Sequence, residues 1–316
     1  ESFFLADLQL ATSIPHDEQA IFTTELGMIT LLPLPGAGWF RVFGDMPVGT
    51  ESLDTSHAAM ESFVAERIGP IKIEAIGWCS LFHVHSRQVG QYRNRRALLA
   101  GDAAHMHSPA GGHGMNTGIQ DACNLAWKLE LVARGVSSAT LLDSYHAERH
   151  PVAKTLIAMT DLETRLGMWR SQLGKEALVT CMGVCAQIAP VQQRMVANAI
   201  EIDLTYRASA IVSQHTRSML FANIVHDDQS ENPSLMDVRR FAAGPHPGDR
   251  APDIEPGACM LFDFCQGPGH ALVLFDGRSQ TDGGYSNLAT IATRMVEQHT
   301  GLIVPHIVVL GPDRPA

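Results

Sequence analysis

A short apolar run, Arg96-Ala97-Leu98-Leu99-Ala100, ends in Gly101-Asp102 and opens into a loop carrying Gly111, Gly112 and Gly114. A run that short, apolar and closed by glycine predicts a buried strand over 96–100. Beyond the loop, Ile119, Ala122, Leu125, Ala126, Leu129 and Val132 keep helical spacing. They predict an amphipathic helix from Met115 or Asn116 to about Arg134, stopped by Gly135. Strand, glycine loop and helix N-terminus in that order confine the chain to an α/β or α+β fold. They also put Asp102 where a strand ends, the usual ligand-facing edge of such a sheet.

That layout has a definite chemistry. An ionised carboxylate only accepts hydrogen bonds, so Asp102 suits a hydroxyl-bearing ligand such as a ribityl chain. Glycines let the backbone approach a flat ring without Cβ interference. The first turn of a helix aims free N–H groups and partial positive charge into the same space, which favours an anion or a carbonyl that gains negative charge. The residues alone leave three readings open: a flavin site, a phosphate site, or a strand-loop-helix turn with structural glycines.

The rest of the chain reads in four stretches. Phe3 to Leu10 predicts a strand, and Gly27 to Leu34 with Trp39 to Phe43 predicts a hairpin through Pro35-Gly36-Ala37-Gly38. Thr55 or Ser56 caps a helix to about Ile68, and Ile71 to Val84 is strand-like again. Residues 1–90 thus form a mostly antiparallel sheet carrying a helix. Residues 91–155 hold the central motif, with a helix from Ser137 or Ser138 ending near His150-Pro151. Residues 156–240 are helix-rich. Dense Pro and Gly from Gly244 to Asp253 mark entry into a last domain, 241–316. Its strand, helix and strand, from Ala271, Leu288 and Ile303, fit a small β-α-β unit.

Composition excludes several classes. A net charge of −10 without a basic run argues against nucleic acid as partner. No apolar run nears the roughly 20 residues of a membrane span, and the N-terminus has no signal-peptide pattern. Six cysteines without a Cys-x-x-Cys pair read as reduced thiols of a cytoplasmic protein. No metal site is expected: His146 and His150 are spaced i, i+4, but Glu148 is misplaced for H-E-x-x-H. Arg87, Arg93, Arg95 and Arg96 form a basic cluster that attracts a dinucleotide or, the reading preferred here, lies in a solvated loop. There is no G-x-S-x-G nucleophile elbow.

The run Gly101-Asp102-Ala103-Ala104-His105, with Pro109, Gly111-Gly112, Gly114-Met115-Asn116, Gly118 and Asp121, resembles the flavin motif of class A FAD-dependent aromatic hydroxylases. More narrowly it is similar to the phenol hydroxylase-like flavoprotein monooxygenases. Asn124 to Leu129, Leu142 to Tyr145, Glu148 to Pro151, Trp78 to Arg87 and Tyr92 to Arg96 continue the similarity. Gly248 to Asp253 resembles the start of that group's thioredoxin-like C-terminal domain, which supports packing or homodimer contacts there.

The resemblance implies FAD as cofactor and NAD(P)H as cosubstrate. It implies a monooxygenase that captures O₂ as a flavin C4a-hydroperoxide and hydroxylates a small phenolic or other aromatic substrate. It assigns cofactor binding to Gly101, Asp102, Pro109, Gly111, Gly112, Gly114, Met115 and Asn116. Asp102 would bond the ribityl chain, Pro109 would lie beside the isoalloxazine, and the Met115 and Asn116 N–H groups would meet the pyrimidine carbonyl. At position 113, where the group often has Gln, His113 either tunes flavin electrostatics or, the reading preferred from sequence, is a solvent-facing substitution. No catalytic acid or base is identified; Tyr92 and His85 are candidates by type only.

One departure stands out. No G-x-G-x-x-G is present to hold the ADP half of FAD. The sequence therefore reads as the C-terminal part of a longer protein, its last domain also cut short. Two alternatives stay open: a non-catalytic fragment serving folding or dimerisation, and a related flavoprotein epoxidase acting on a non-phenolic substrate.

Overall fold

The computed structural model describes residues 2–46, 50, 52–109, 112–167, 174, 180–181, 183–185, 187–199, 201, 204–213, 244–252, 261–266, 269–275 and 284–308. The chain divides into two compact units, Glu1–Ser213 and Gln214–Ala316. The fold mixes antiparallel sheet with helices. Among the described residues no helix is long and apolar enough to cross a membrane.

In the first unit, β1 (Ser2–Ala11), β2 (Ala20–Thr24), β3 (Gly27–Pro33), β4 (Trp39–Met46) and β5 (Lys72–His83) form one sheet, ordered β2-β3-β4-β1-β5. Every pairing in it is antiparallel. Strand alternation explains the core. Phe4, Ala6, Leu8 and Leu10 of β1 all point to one face and are buried there with Ile29, Leu31, Phe40 and Val42. Helix α1 (His57–Ile68), N-capped by Ser56 as its sequence predicts, adds Met60 and Val64 to that core. The opposite face carries a second aromatic group: Phe3 stacks on Phe43 with ring centroids 5.1 Å apart and meets Phe82 at 5.9 Å. The Asp7–Arg41 pair, bonded at 2.8 and 2.9 Å, lies on the same side.

Strand β2 is absent from the sequence reading. It is a five-residue edge strand that turns Ala20 and Phe22 toward the core, but the exposed position between them is the apolar Ile21, so the sequence shows no apolar/polar alternation. Its place is set instead by the turn into β3, where the Thr24 hydroxyl donates to the Gly27 carbonyl and accepts from the Leu26 N–H.

After the sheet come four short strands: β6 (Arg87–Gln88), β7 (Arg93–Asn94), β8 (Ala97–Leu98) and β9 (His105–Met106). β6 pairs with β9, and β7 with β8. The strand expected over 96–100 therefore shrinks to two residues, and it is not buried: Arg96, Ala97 and Leu99 are exposed. Among the described residues its one neighbour is β7, so it lacks the flanking strands that cover a buried one.

Two long helices follow. α2 spans Gly114–Ala133 and ends at Gly135, which takes φ +70 as a helix stop requires. α3 spans Asp143–Gly167 and corrects the expected end near His150-Pro151. Pro151 removes one helical hydrogen bond, yet the helix runs through it. Buried residues on both sides hold it: Tyr145, Glu148 and Arg149 before, Ala153, Leu156, Thr160 and Thr164 after. A shorter helix, α4 (Ala189–Ala199), lies later in the same unit.

In the second unit, β10 (His270–Phe275), α5 (Gly284–Gln298) and β11 (Ile303–Val308) form a β-α-β unit with parallel strands, His270 opposite Ile303. The Pro- and Gly-rich entry closes in a turn. The Asp249 N–H donates to the His246 carbonyl, and the Asp249 carboxylate accepts from the His246 N–H.

The inner face of the first sheet rests on Phe4, which is fully buried and edge-on to Phe63 at 4.9 Å. Phe4→Ala is expected to cost about 3–5 kcal/mol of stability, read as a lowered urea midpoint.

Candidate cofactor site

Ala100 is extended, Gly101 turns at φ +58, and residues Gly101–Ala103 form one 3-10 turn closed by the Ala104 N–H on the Gly101 carbonyl at 2.8 Å. The φ of Gly101 lies in the left-handed region that favours glycine. A Cβ built on Gly118 of α2 would sit 3.4 Å from the Gly101 Cα, so the turn and the second turn of α2 approach backbone to backbone.

A buried carboxylate fixes this approach. Asp121 of α2 accepts from the Gly101 N–H at 3.1 Å and from His105 Nε2 at 2.7 Å through one oxygen. Its other oxygen accepts from Arg149 Nε at 2.6 Å. Asp121 and Arg149 are both fully buried. The guanidinium also donates to Gln120 Oε1 at 3.2 Å, the Tyr206 hydroxyl at 3.0 Å and the Thr117 carbonyl at 3.2 Å. Burial alone would raise the Asp121 carboxyl. Hydrogen bonds from His105 and Arg149 outweigh it and hold the group below the usual carboxylate range.

Two helical turns on, Lys128 Nζ meets Glu148 at 2.5 Å and Asn124 at 2.8 Å. Glu148 also accepts from Asn124 Nδ2 at 2.7 Å and from the Ser209 hydroxyl at 2.6 Å.

α2 is consequently turned around. Thr117, Asp121 and Lys128 face inward, whereas Met115, Ile119, Ala122, Ala126 and Leu129 are exposed. Of the apolar positions that marked the helix in the sequence, Leu125 alone is fully in the core, with Val132 packed beside it. Asp121, His105, Arg149, Lys128 and Glu148 had no assigned role in the sequence reading. A polar stripe on a helix normally signals solvent, and nothing local marks partners 20 to 28 residues away.

The assigned cofactor residues fall as follows. Asp102 is exposed and makes no hydrogen bond or ion pair among the described residues. Pro109 is half-buried. Gly111 lies outside the described residues. Gly112 takes φ +72, and a Cβ there would meet nothing within 4 Å, so space opens beside it. Gly114, Met115 and Asn116 form the first turn of α2, whose N–H groups have no intrahelical acceptor. Met115 is 75% exposed. His107 Nε2 is buried without a partner among the described residues, 3.5 Å from where a Gly114 Cβ would stand. An acceptor-only carboxylate, free helical N–H groups, an open glycine and an orphaned ring nitrogen fit the ribityl and pyrimidine parts of a flavin.

Three further residues are relocated. His113 is not solvent-facing: it is buried, and its Nδ1 meets Glu201 Oε1 at 2.9 Å. Its partner lies 88 residues on, out of reach of any local pattern. Tyr92 is fully buried against Tyr145 and His150, and burial pushes its phenol up to about 12. His85 is exposed and lines a polar cleft of about 260 Å³ with Arg87, Asp161 and Arg165. Within the basic cluster, Arg93 pairs with Asp143 at 2.7 Å, while Arg87, Arg95 and Arg96 are exposed.

The Asp121–Arg149 pair generates two expectations. Arg149→Met leaves a buried carboxylate without its guanidinium and should cost about 3–5 kcal/mol in urea unfolding. Because the folded Asp121 carboxyl is depressed, the unfolded chain binds more protons as acid is added. Its stabilisation is full above about pH 4 and is lost as pH falls through the lowered folded value. Asp121→Asn should flatten that acid limb of the stability curve.

A family model described as FAD binding domain matches residues 6–160. The chain is 30% identical to 6-methylpretetramide 4-monooxygenase of Streptomyces rimosus over 314 residues, which is 97% of this chain and 52% of that protein. It is 32% identical to pentachlorophenol 4-monooxygenase of Sphingobium chlorophenolicum over 233 residues, 73% of this chain and 38% of that protein. The crystal structure of CabE, an aromatic hydroxylase from angucycline biosynthesis, superposes with a TM-score of 0.68 at 25% identity, covering 99% of this chain and 56% of that one. The chain spans about half the length, or less, of these relatives. With its glycine turn, exposed Asp102 and helix N-terminus in the matched region, the chain belongs to the class A FAD-binding aromatic hydroxylase and monooxygenase family.

Proposed function

We propose that this chain supplies the ribityl- and pyrimidine-contacting part of an FAD-dependent, NAD(P)H-using monooxygenase that hydroxylates a phenolic or other aromatic substrate. The observation that carries the reading is the joint between the Gly101 turn and α2. Asp121 locks the Gly101 N–H, and Asp102 next to it stays free to accept. When bound and reduced, FAD supplies the activation of O₂.

The chain's own residues do the placing. Asp102 would accept from ribityl hydroxyls, and Pro109 would flank the ring. The first-turn N–H groups of Gly114, Met115 and Asn116 would meet the pyrimidine carbonyl, with Gly101, Gly111 and Gly112 admitting the ring and chain closely. The positive end of α2 favours the charge that a reduced flavin carries on that side, worth roughly 0.3–1 kcal/mol exposed and up to about 2 when partly buried.

In this reading residues 1–90 form the substrate-side sheet and 91–155 the C-terminal part of the FAD domain. Residues 156–240 are a helical segment, and 241–316 a thioredoxin-like domain with a role in homodimer contacts. The Phe3, Phe43 and Phe82 face of the sheet supports an aromatic substrate, since flat rings pack well against such a wall.

The flavin reading is checked by colour and by one variant. The whole protein that carries this chain together with an ADP-binding half, loaded with FAD and freed of excess cofactor, should show flavin absorbance; whole protein that stays colourless would sink the reading. Asp102→Ala should weaken FAD binding by about 1.5–3 kcal/mol, roughly 10- to 150-fold, from the loss of a charged hydrogen bond. Its unfolding midpoint should hardly move, because the side chain is exposed. A folded variant with unchanged FAD affinity would remove Asp102 from the site.

A further inference from the structure

Three positions on one face of the first turns of α2 meet a single carboxylate from far along the chain. Glu201 Oε1 accepts from His113 Nδ1 at 2.9 Å and lies 3.5 Å from the Thr117 hydroxyl. Its Oε2 accepts from Gln120 Nε2 at 2.7 Å. Positions 113, 117 and 120 follow the i, i+4, i+7 spacing of one helix face. The His113 and Glu201 side chains are only 5% and 9% exposed.

Glu201 stands just beyond α4 with φ +55, a left-handed conformation that side chains rarely adopt. The strain is held where it delivers the carboxylate to α2. Such an outlier points toward function when the surroundings over-determine it. Helix capping does not account for the contact, because a capping side chain accepts from backbone N–H groups. All three of Glu201's partners here are side chains, so the first-turn N–H groups keep their acceptor places for a ligand. The contact is also wired to the cofactor turn. Gln120 Oε1 accepts from Arg149, Arg149 donates to Asp121, and Asp121 holds the Gly101 N–H.

An anion beside a helix N-terminus is stabilised by the macrodipole, and it offsets the positive field which that end offers to anything else. Because the Glu201 carboxylate is itself buried, that offset is screened less than a surface charge would be. His113 in turn directs an N–H at the carboxylate and weakens its field. We propose that Glu201, held through His113, is a positioning residue that sets the field at the flavin-facing end of α2 and makes bound flavin harder to reduce. The proposal rests on the flavin reading above, and it concerns a pair which that reading does not use.

The test compares the midpoint potential of the FAD-loaded protein with FAD affinity in the oxidised state. Glu201→Gln removes the charge and keeps the shape. The ratio of reduced- to oxidised-flavin affinity should rise roughly three- to tenfold, up to about 30 mV for a two-electron couple. Glu201→Asp, which keeps the charge, should return most of the wild-type potential. His113→Leu removes the N–H that faces the carboxylate, so the potential should shift downward.

A pair that only holds the fold would weaken FAD binding in both variants and leave the potential in place; that result overturns the proposal, as do shifts of the same sign. If Glu201→Gln does not fold, His113→Leu still decides: a potential at or above wild type overturns the proposal. Wild-type protein that takes up no FAD is a separate outcome, seen before any variant is made, and it overturns the flavin reading itself.

Discussion

The first unit is organised around one buried ion pair. Asp121 on α2 and Arg149 on α3 are both removed from water, and each is surrounded by further hydrogen-bond partners. Their mutual attraction offsets the desolvation cost only because those partners are complete. Through them, α2, α3, the Gly101 turn, His105 and Tyr206 take a single relative arrangement. Loss of one member would strand a charge in the interior, so the set behaves as a unit.

This constraint reverses the ordinary logic of an amphipathic helix. Most helices turn an apolar stripe inward. α2 buries Thr117, Asp121 and Lys128 and leaves Met115, Ile119, Ala122, Ala126 and Leu129 outside. The inward polar face is possible because Arg149, Glu148 and Glu201 meet it with complementary groups. The polar face also grips the Gly101 turn through Asp121.

Much of the architecture was legible because it rests on short-range rules. Ser56 as N-cap, Gly135 as helix stop, the β3–β4 hairpin and the β1 alternation each follow from a few neighbouring residues. The glycine turn and its carboxylate were legible for the same reason. Three features were not. β2 lies at an edge, and its inward-facing positions Ala20, Phe22 and Thr24 alternate with Ile21 and Thr23, so its apolar residues do not alternate with polar ones in the sequence. α3 continues through Pro151, because contacts made far from Pro151 hold it. His113 looked like a surface substitution, and a carboxylate 88 residues away buries it.

The sequence alone determined the order of turn, glycine loop and helix, and it determined which backbone positions demand glycine. Those depend on local φ, Cβ sterics and hydrogen bonding within a few residues. The tertiary structure alone decided which face of α2 turns inward, which charges pair, and that Asp102 is exposed while Asp121 is buried and paired. Those outcomes depend on desolvation, and desolvation is set by partners from α3 and from the segment carrying Glu201 and Tyr206. The two carboxylates of one motif look alike in the sequence; burial separates them into a structural anchor, Asp121, and an exposed carboxylate, Asp102.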